Sequence, residues 1–340
     1  GITVNADDVQ LKNAGSLTGN RVTKWDSGNT QLTNSIITDN GTNIGINSSS
    51  PTSRLDVGGD GRFSGVVTAT TFTGNLTGTA TTASSIASDS DNNTKGGTGA
   101  GSSLVASSGT HNTFFGFSAG CRVTTGDNNI ALGSGALLGS ASGVTGSNNV
   151  AIGRCAGADL ISGTCNNFLG YFAGHQVVSG SNNNFFGSAA GYANTGGNHN
   201  NFLGYYAGRT NTTGCYNNFF GTSSGSCNLS GSNNNFFGRF AGLANTTSSN
   251  SIAIGQCAGY WNRGNNNIYF GECAGSWDFR SVGSFVTGSC NILIGSCAGA
   301  KMESGSYNYF FGSSAGFNNS TGSHNTFIGK STGFGNTSGI

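Results

Sequence analysis

From about residue 109 the chain repeats itself every seventeen residues, and this period limits the possible fold more than any other feature of it. The repeating motif is Asn, any residue, two apolar residues, Gly, two variable residues, Ala and Gly. Its central glycines are Gly116, Gly133, Gly153, Gly170, Gly187, Gly204, Gly221, Gly238, Gly255, Gly271, Gly295, Gly312 and Gly329. Of the twelve intervals between these thirteen units, nine are 17 residues and the others are 20, 16 and 24. Two further columns are glycine in twelve units, seven positions before the centre and four after it; Ser248 and Leu137 are the exceptions. Alanine stands three positions after the centre in eleven units.

Glycine tolerates the positive φ of tight corners, so three glycines per unit predict a coil of short strands joined by turns. Seventeen residues are too few for a helical hairpin, and this density of glycine opposes helix. The residues before the central glycine are Phe, Ile, Val, Leu and Tyr, which favour strands. The expected fold is all-β: a parallel β-solenoid, of β-roll or β-helix type, with about 13 coils. At about 4.8 Å per coil it would form a rod roughly 60 Å long. Four positions before the centre stands Asn112, Asn129, Asn149, Asn166, Asn183, Asn200, Asn217, Asn234, Asn267, Asn291, Asn308 or Asn325, with Ser251 the one departure. In stacked coils this column predicts a structural Asn ladder along the axis.

Composition agrees with a stacked core. Only 8% of the residues are charged, but 23 are Phe and 60 are Gly, with a single Pro. Disordered chains are instead highly charged and poor in aromatics. A net charge of +1 offers no footprint for nucleic acid, and no long apolar run predicts membrane insertion.

Two residues before the central glycine stands Phe in eight units: Phe114, Phe168, Phe185, Phe202, Phe219, Phe236, Phe310 and Phe327. The next residue is large and apolar in every unit, and neighbours in a strand point to opposite faces. If that next residue fills the solenoid, the Phe column lies outside, and a monomer would expose a long apolar stripe. These eight Phe are therefore the candidate oligomer interface, and a homotrimer would close it by symmetry. Where the Phe position shrinks to Ala131, Ala151 or Ala253, the preceding residue grows to Ile130, Val150 or Ile252, as if volume moved between two buried compartments.

The segments Asn149-Val150-Ala151-Ile152-Gly153 and Ser251-Ile252-Ala253-Ile254-Gly255 resemble the head repeat of trimeric autotransporter adhesins, whose period is shorter. That resemblance implies a trimer of parallel β-rolls. The form Asn183-Asn184-Phe185-Phe186-Gly187, with Ala190-Gly191, resembles repeats of phage tail-fibre-like proteins. So does Asn40-Gly41-Thr42-Asn43-Ile44-Gly45-Ile46 followed by Pro51-Thr52-Ser53-Arg54-Leu55-Asp56-Val57. The stretch from Ser64 to Gly78 is similar to fibres of phages that infect marine cyanobacteria. These likenesses imply a virion tail fibre that attaches to a host, its chain the processed part of a longer product whose chaperone domain has been removed. The alternative is a bacterial extracellular adhesin or matrix filament subunit.

Three regions are expected: a β-rich shaft or attachment region over 1–80, a Ser/Thr/Gly-rich linker over 81–108, and the solenoid over 109–340. Extra residues near Gly139 to Val144 and near Ser276 to Gly288 read as surface loops. Beside the longer one, Trp261, Arg263, Trp277, Phe279 and Arg280 combine aromatic and cationic groups that suit sugar rings, or simply pack an irregular turn. Of the nine cysteines, Cys257, Cys273 and Cys297 share one position in consecutive coils, so a disulfide between them is conceivable. The preferred reading is that cysteine serves as a small buried hydrophobe. His111, His199 and His324 share another position as polar turn residues, with His175 elsewhere. No catalytic triad, paired carboxylates, metal spacing, phosphate loop or cofactor motif is present in the sequence, so the expectation is a non-enzyme whose partners are copies of itself and a cell-surface glycan.

Overall fold

The computed structural model describes residues 21–25, 32–39, 42–46, 55–57, 89–276 and 285–339, in two compact units divided between Thr81 and Thr82. In the first unit, Arg21–Trp25 pairs antiparallel with Leu32–Asp39, which pairs antiparallel with Ile44–Ile46. Ile44–Ile46 then pairs parallel with Leu55–Val57. Four short strands thus lie among the described residues of 1–80, the stretch expected to be β-rich.

The second unit is a parallel β-solenoid with no helix among the described residues. One three-residue strand per coil, from Thr94–Gly96 to Thr326–Ile328, builds a sheet of fourteen strands in sequence order. Register is kept residue for residue, as in Phe185 opposite Phe202 and Phe202 opposite Phe219. Each coil bonds to both neighbours: Asn184 N–H donates to Asn200 O at 2.8 Å, and Gly187 N–H to Leu169 O at 2.8 Å. Stacked Phe rings report the coil spacing directly, with centroids 4.8 Å apart for Phe185–Phe202 and Phe202–Phe219.

The solenoid begins one coil earlier than the period implied. Within the stretch expected as a linker, 81–88 lies outside the described residues, and 89–108 is a coil. Its strand Thr94–Gly96 pairs with Thr113–Phe115, and Asn93 Oδ1 accepts from Asn112 N–H at 2.8 Å. The motif is present there as Asn93-Thr94-Lys95-Gly96-Gly97, with Ala100-Gly101 following, but Lys95-Gly96 replaces the apolar pair. Lys95 takes the Phe position and pairs with Asp89 at 3.0 Å, so this coil presents a charge where a further coil would need an apolar side chain. That is the behaviour of a capping repeat.

Two of the three glycine columns illustrate different causes. Gly204, a central glycine, has φ +141°, and a Cβ there would lie 2.6 Å from Gly221 O in the next coil. Gly197, seven positions earlier, has no left-handed φ; it is glycine because a side chain would strike Gly214 O, also in the next coil. Two more corners are left-handed without glycine: two after the centre (Phe172 φ 56°, Tyr206 φ 59°) and five before it (Asn182 φ 58°, His199 φ 55°). Such a conformation costs roughly 1–2 kcal/mol for most residues and less for Asn. Coil-to-coil bonds hold it in place, for example Tyr206 N–H to Ser188 O and His199 N–H to Ser181 O, both 3.1 Å.

The core reverses the expected facing of the strand. Phe114, Phe168, Phe185, Phe202, Phe219, Phe236 and Phe310 are completely buried within the single chain, and Phe327, in the last described strand, is half-buried against the same core. None of the eight lines an outer surface, so they are corrected from interface to core. The residue after each Phe is the outer one. Ile130 is likewise outside, at 38% exposure, so the exchange of Phe for Ala does not move volume into a second buried compartment by way of Ile130, Val150 and Ile252. Inside, the volume is made up by Leu137 and Leu160, both fully buried.

Candidate functional site

Two faces carry the chemistry of this rod: the polar ladders that hold it together and the surfaces it turns outward. The expected ladder is present. Asn183 Oδ1 accepts from Asn200 N–H at 3.0 Å, and Asn183 Nδ2 donates to Gly197 O at 2.9 Å in the next coil. Asn112, Asn129, Asn149, Asn166, Asn200, Asn217, Asn234, Asn267, Asn291 and Asn308 are likewise fully buried, and Asn325 nearly so. At the exception, Ser251 N–H donates to Asn234 Oδ1 at 3.0 Å, and Ser251 Oγ accepts from Asn267 N–H at 3.3 Å, so the chain of bonds continues.

A second buried ladder was missed. Asn194, Asn211, Asn228 and Asn245 stand seven after the central glycine, linked by Asn211 Nδ2 to Asn194 Oδ1 at 2.7 Å and Asn228 Nδ2 to Asn211 Oδ1 at 2.6 Å. Their shared 17-residue spacing was the available signal. The same corner column holds Val123, Val144, Leu160, Val177, Val286 and Met302 elsewhere. Both inserted segments rejoin here, through the Val123–Val144 and Asn262–Val286 bridges. A third ladder, Asn167 to Asn235, runs half-exposed on the outer face, with amide bonds of 2.7–2.8 Å.

That outer face also carries the large residues next to the central glycine. Phe220 and Phe237 stack at 4.9 Å, and Phe237, Phe270, Ile294, Phe311 and Ile328 are exposed. This is the apolar stripe; the sequence reading had put it on the wrong column.

Of the expected sugar-binding cluster, Trp277, Phe279 and Arg280 lie outside the described residues. Trp261 and Arg263 converge on Phe285: the guanidinium lies 3.1 Å from the Phe285 centroid, and the Trp261 ring meets it edge-on at 5.6 Å. Here the aromatic and cationic groups are occupied with one another.

The nine cysteines are free thiols, Cys257, Cys273 and Cys297 included. Burial pushes the Cys257 thiol up to about 11, and the neighbouring Cys273 adds to the shift. Tyr269 stands in the Phe column; its hydroxyl donates to Asn262 Oδ1 at 2.9 Å, and burial raises its pKa strongly. His199 stacks on Tyr216 at 4.8 Å and His324 on Tyr307 at 5.1 Å, so these turn histidines pack against aromatic neighbours. Among the described residues no group of three or more His, Cys, Asp or Glu is placed to hold a metal ion. A cluster the sequence reading did not single out lies at the corner after the strand, where Tyr171, Phe172, Tyr192, Tyr205 and Tyr206 gather beside Arg154 and Arg209. No protein-family model, curated protein or solved structure matches this chain.

Proposed function

We propose that the chain is a structural fibre protein that works by self-association, in its specific form a homotrimeric phage tail fibre mediating attachment to a host. The observation that supports this is the apolar outer stripe through Phe220, Phe237, Phe270, Ile294 and Phe311, carried on successive strands of an in-register sheet. A surface that repeats once per coil is matched best by another with the same repeat, and a second copy of the chain supplies one. The three Asn ladders and the Phe core make the rod stiff enough to present such a face over its length. The tail-fibre reading rests on the sequence resemblances; the alternative is a bacterial adhesin or matrix filament.

Light scattering of the folded chain tests self-association. The expected result is an oligomer that Phe220→Ser with Phe237→Ser shifts toward monomer; a wild-type monomer at micromolar concentration sinks the proposal. Immunolabelling then separates the two sources, with virion labelling expected and labelling of bacterial surfaces alone counting against the tail fibre.

A further inference from the structure

We propose that the corner of the Gly170, Gly187 and Gly204 coils binds a hexuronate ring of an acidic polysaccharide, a role that does not depend on the fibre reading. After the central glycine, two consecutive residues face outward at this corner. In the Gly170 coil they are Tyr171 and Phe172, with ring centroids 4.1 Å apart; in the Gly204 coil they are Tyr205 and Tyr206, at 3.9 Å. The coil between them carries only Ser188 and Ala189. The two aromatic pairs are therefore separated by two coil spacings, about 9.6 Å, above a floor of small residues. Carbon surfaces pack at roughly 3.5–4.0 Å, so one puckered sugar ring fits between Tyr171 and Phe172 on one side and Tyr206 on the other, aromatic residues that line the space. The notch is a cavity of about 260 Å³, which suits a single ring.

The walls are rigid. Phe172, Ala189 and Tyr206 all have their backbones in the left-handed region, held by ladder bonds, so little freedom is left to lose on binding. Tyr192 closes one side, stacked on His175 at 5.1 Å and edge-on to Phe172 at 6.0 Å. Hydroxyls of Ser188, Tyr192 and Tyr206 border the space and can serve those of a sugar.

The charge selects an acidic ring. Arg209 lines the notch, its guanidinium 4.9 Å from the Tyr206 centroid, and no ion pair to it is present among the described residues. Asp159 is beside His175 instead, at 3.6 Å. A planar guanidinium set against an aromatic face is oriented to accept a carboxylate through paired hydrogen bonds. Arg154 lies over Tyr171 at 5.7 Å and Arg239 over Phe240 at 4.3 Å, so cations recur along the same corner. The arrangement also recurs two coils on, where Thr222 and Ser223 separate Tyr206 from Phe240. An extended polysaccharide laid along the axis from the Gly170 coil to the Gly238 coil would meet two such notches.

The test is titration calorimetry of the full chain with tetramannuronate and tetragalacturonate, each compared with its carboxyl-reduced neutral counterpart. At least one acidic oligosaccharide is expected to bind about tenfold or more tightly than its neutral form. Phe172→Ala and Tyr206→Ala should each weaken binding by about tenfold, while Tyr206→Phe retains most of it. Arg209→Gln should abolish the preference for the acid, and Trp261→Ala should change nothing. Circular dichroism confirms that each variant is folded. Failure of the wild type to bind either acid, equal binding of acid and neutral forms, or full affinity in a folded Tyr206→Ala variant overturns the proposal.

Discussion

The coils of Gly187, Gly204 and Gly238 and those of Gly133 and Gly153 occupy the same cross-section with different side chains. In the first group a buried Phe on the strand (Phe185, Phe202, Phe236) accompanies a buried Asn at the far corner (Asn194, Asn211, Asn245). In the second the strand offers only Ala131 or Ala151, and the space is filled by Leu137 or Leu160. The outer face changes with them, from Asn184 and Asn201 to Ile130 and Val150. A solenoid coil has one interior of nearly constant volume, and near-crystalline packing requires it to be filled from whichever side can do so. The Gly255 coil adds a third solution: Ala253 on the strand, with Asn262 at the corner accepting the hydroxyl of Tyr269 from the next coil.

The glycine frame is common to both groups, so the largest effect should ignore the distinction between them. Gly153→Ala and Gly204→Ala each place a Cβ 2.6 Å from a carbonyl oxygen of the next coil, at φ +124° and +141°. Each should cost more than about 4 kcal/mol in urea unfolding, and a tolerated substitution in either group would break the idea of a shared frame. Next comes the interior. Phe202→Ala should cost about 3–5 kcal/mol and Leu160→Ala about 2–5 kcal/mol. If the two positions exchange volume, Asn211→Leu should rescue part of the Phe202→Ala loss, with a coupling of about 1–2 kcal/mol in a double-mutant cycle. Simple additivity would disprove the exchange.

The ladders should separate inside from outside. Asn200→Ala strands Asn217 N–H, which donates to Asn200 Oδ1 at 3.0 Å, at roughly 1–3 kcal/mol for that buried group, while Gly214 O loses one of its two amide donors and keeps Asn211 Nδ2 at 3.0 Å. Asn201→Ile changes only the half-exposed outer ladder and copies what the Ala coils already carry, so thermal melts should move by less than about 0.5 kcal/mol equivalent. Finally, Cys257 in the Gly255 coil should leave stability unchanged below pH 8 and report instead on burial. Its thiol, raised to about 11, should alkylate more slowly at pH 8 in the folded chain than in urea, and the difference should vanish as pH rises through 11. Equal rates at pH 8 would show that the corner is open to solvent.

Much of this architecture was legible because a repeat reports the same physics many times over. Period, strand position, glycine columns and the main Asn ladder each recur often enough to stand out. The first coil was not legible because Lys95-Gly96 breaks the apolar pair that marks every later unit. The corner ladder of Asn194, Asn211 and Asn228 shares its column with Val and Leu, which hid it. Nor do Phe172 and Tyr206 look left-handed in sequence, since aromatic residues rarely adopt that conformation; only the bonds from adjacent coils hold them there. The notch escaped notice for a related reason: its walls lie thirty-four residues apart and meet only when the coils stack.

By itself, then, the sequence determined that the chain coils at a seventeen-residue pitch, where its strands lie, and that Asn and Gly columns run along the axis, because each of these is local or strictly periodic. Only the tertiary structure decided which side of the strand is inside. Alternation along a three-residue strand is symmetric between its faces, and both neighbours of the choice, Phe202 and Leu203, are apolar. The direction in which the rest of the coil bends breaks that symmetry. It encloses Phe202 together with Ala207 and Asn211, and turns Leu203 outward to the stripe.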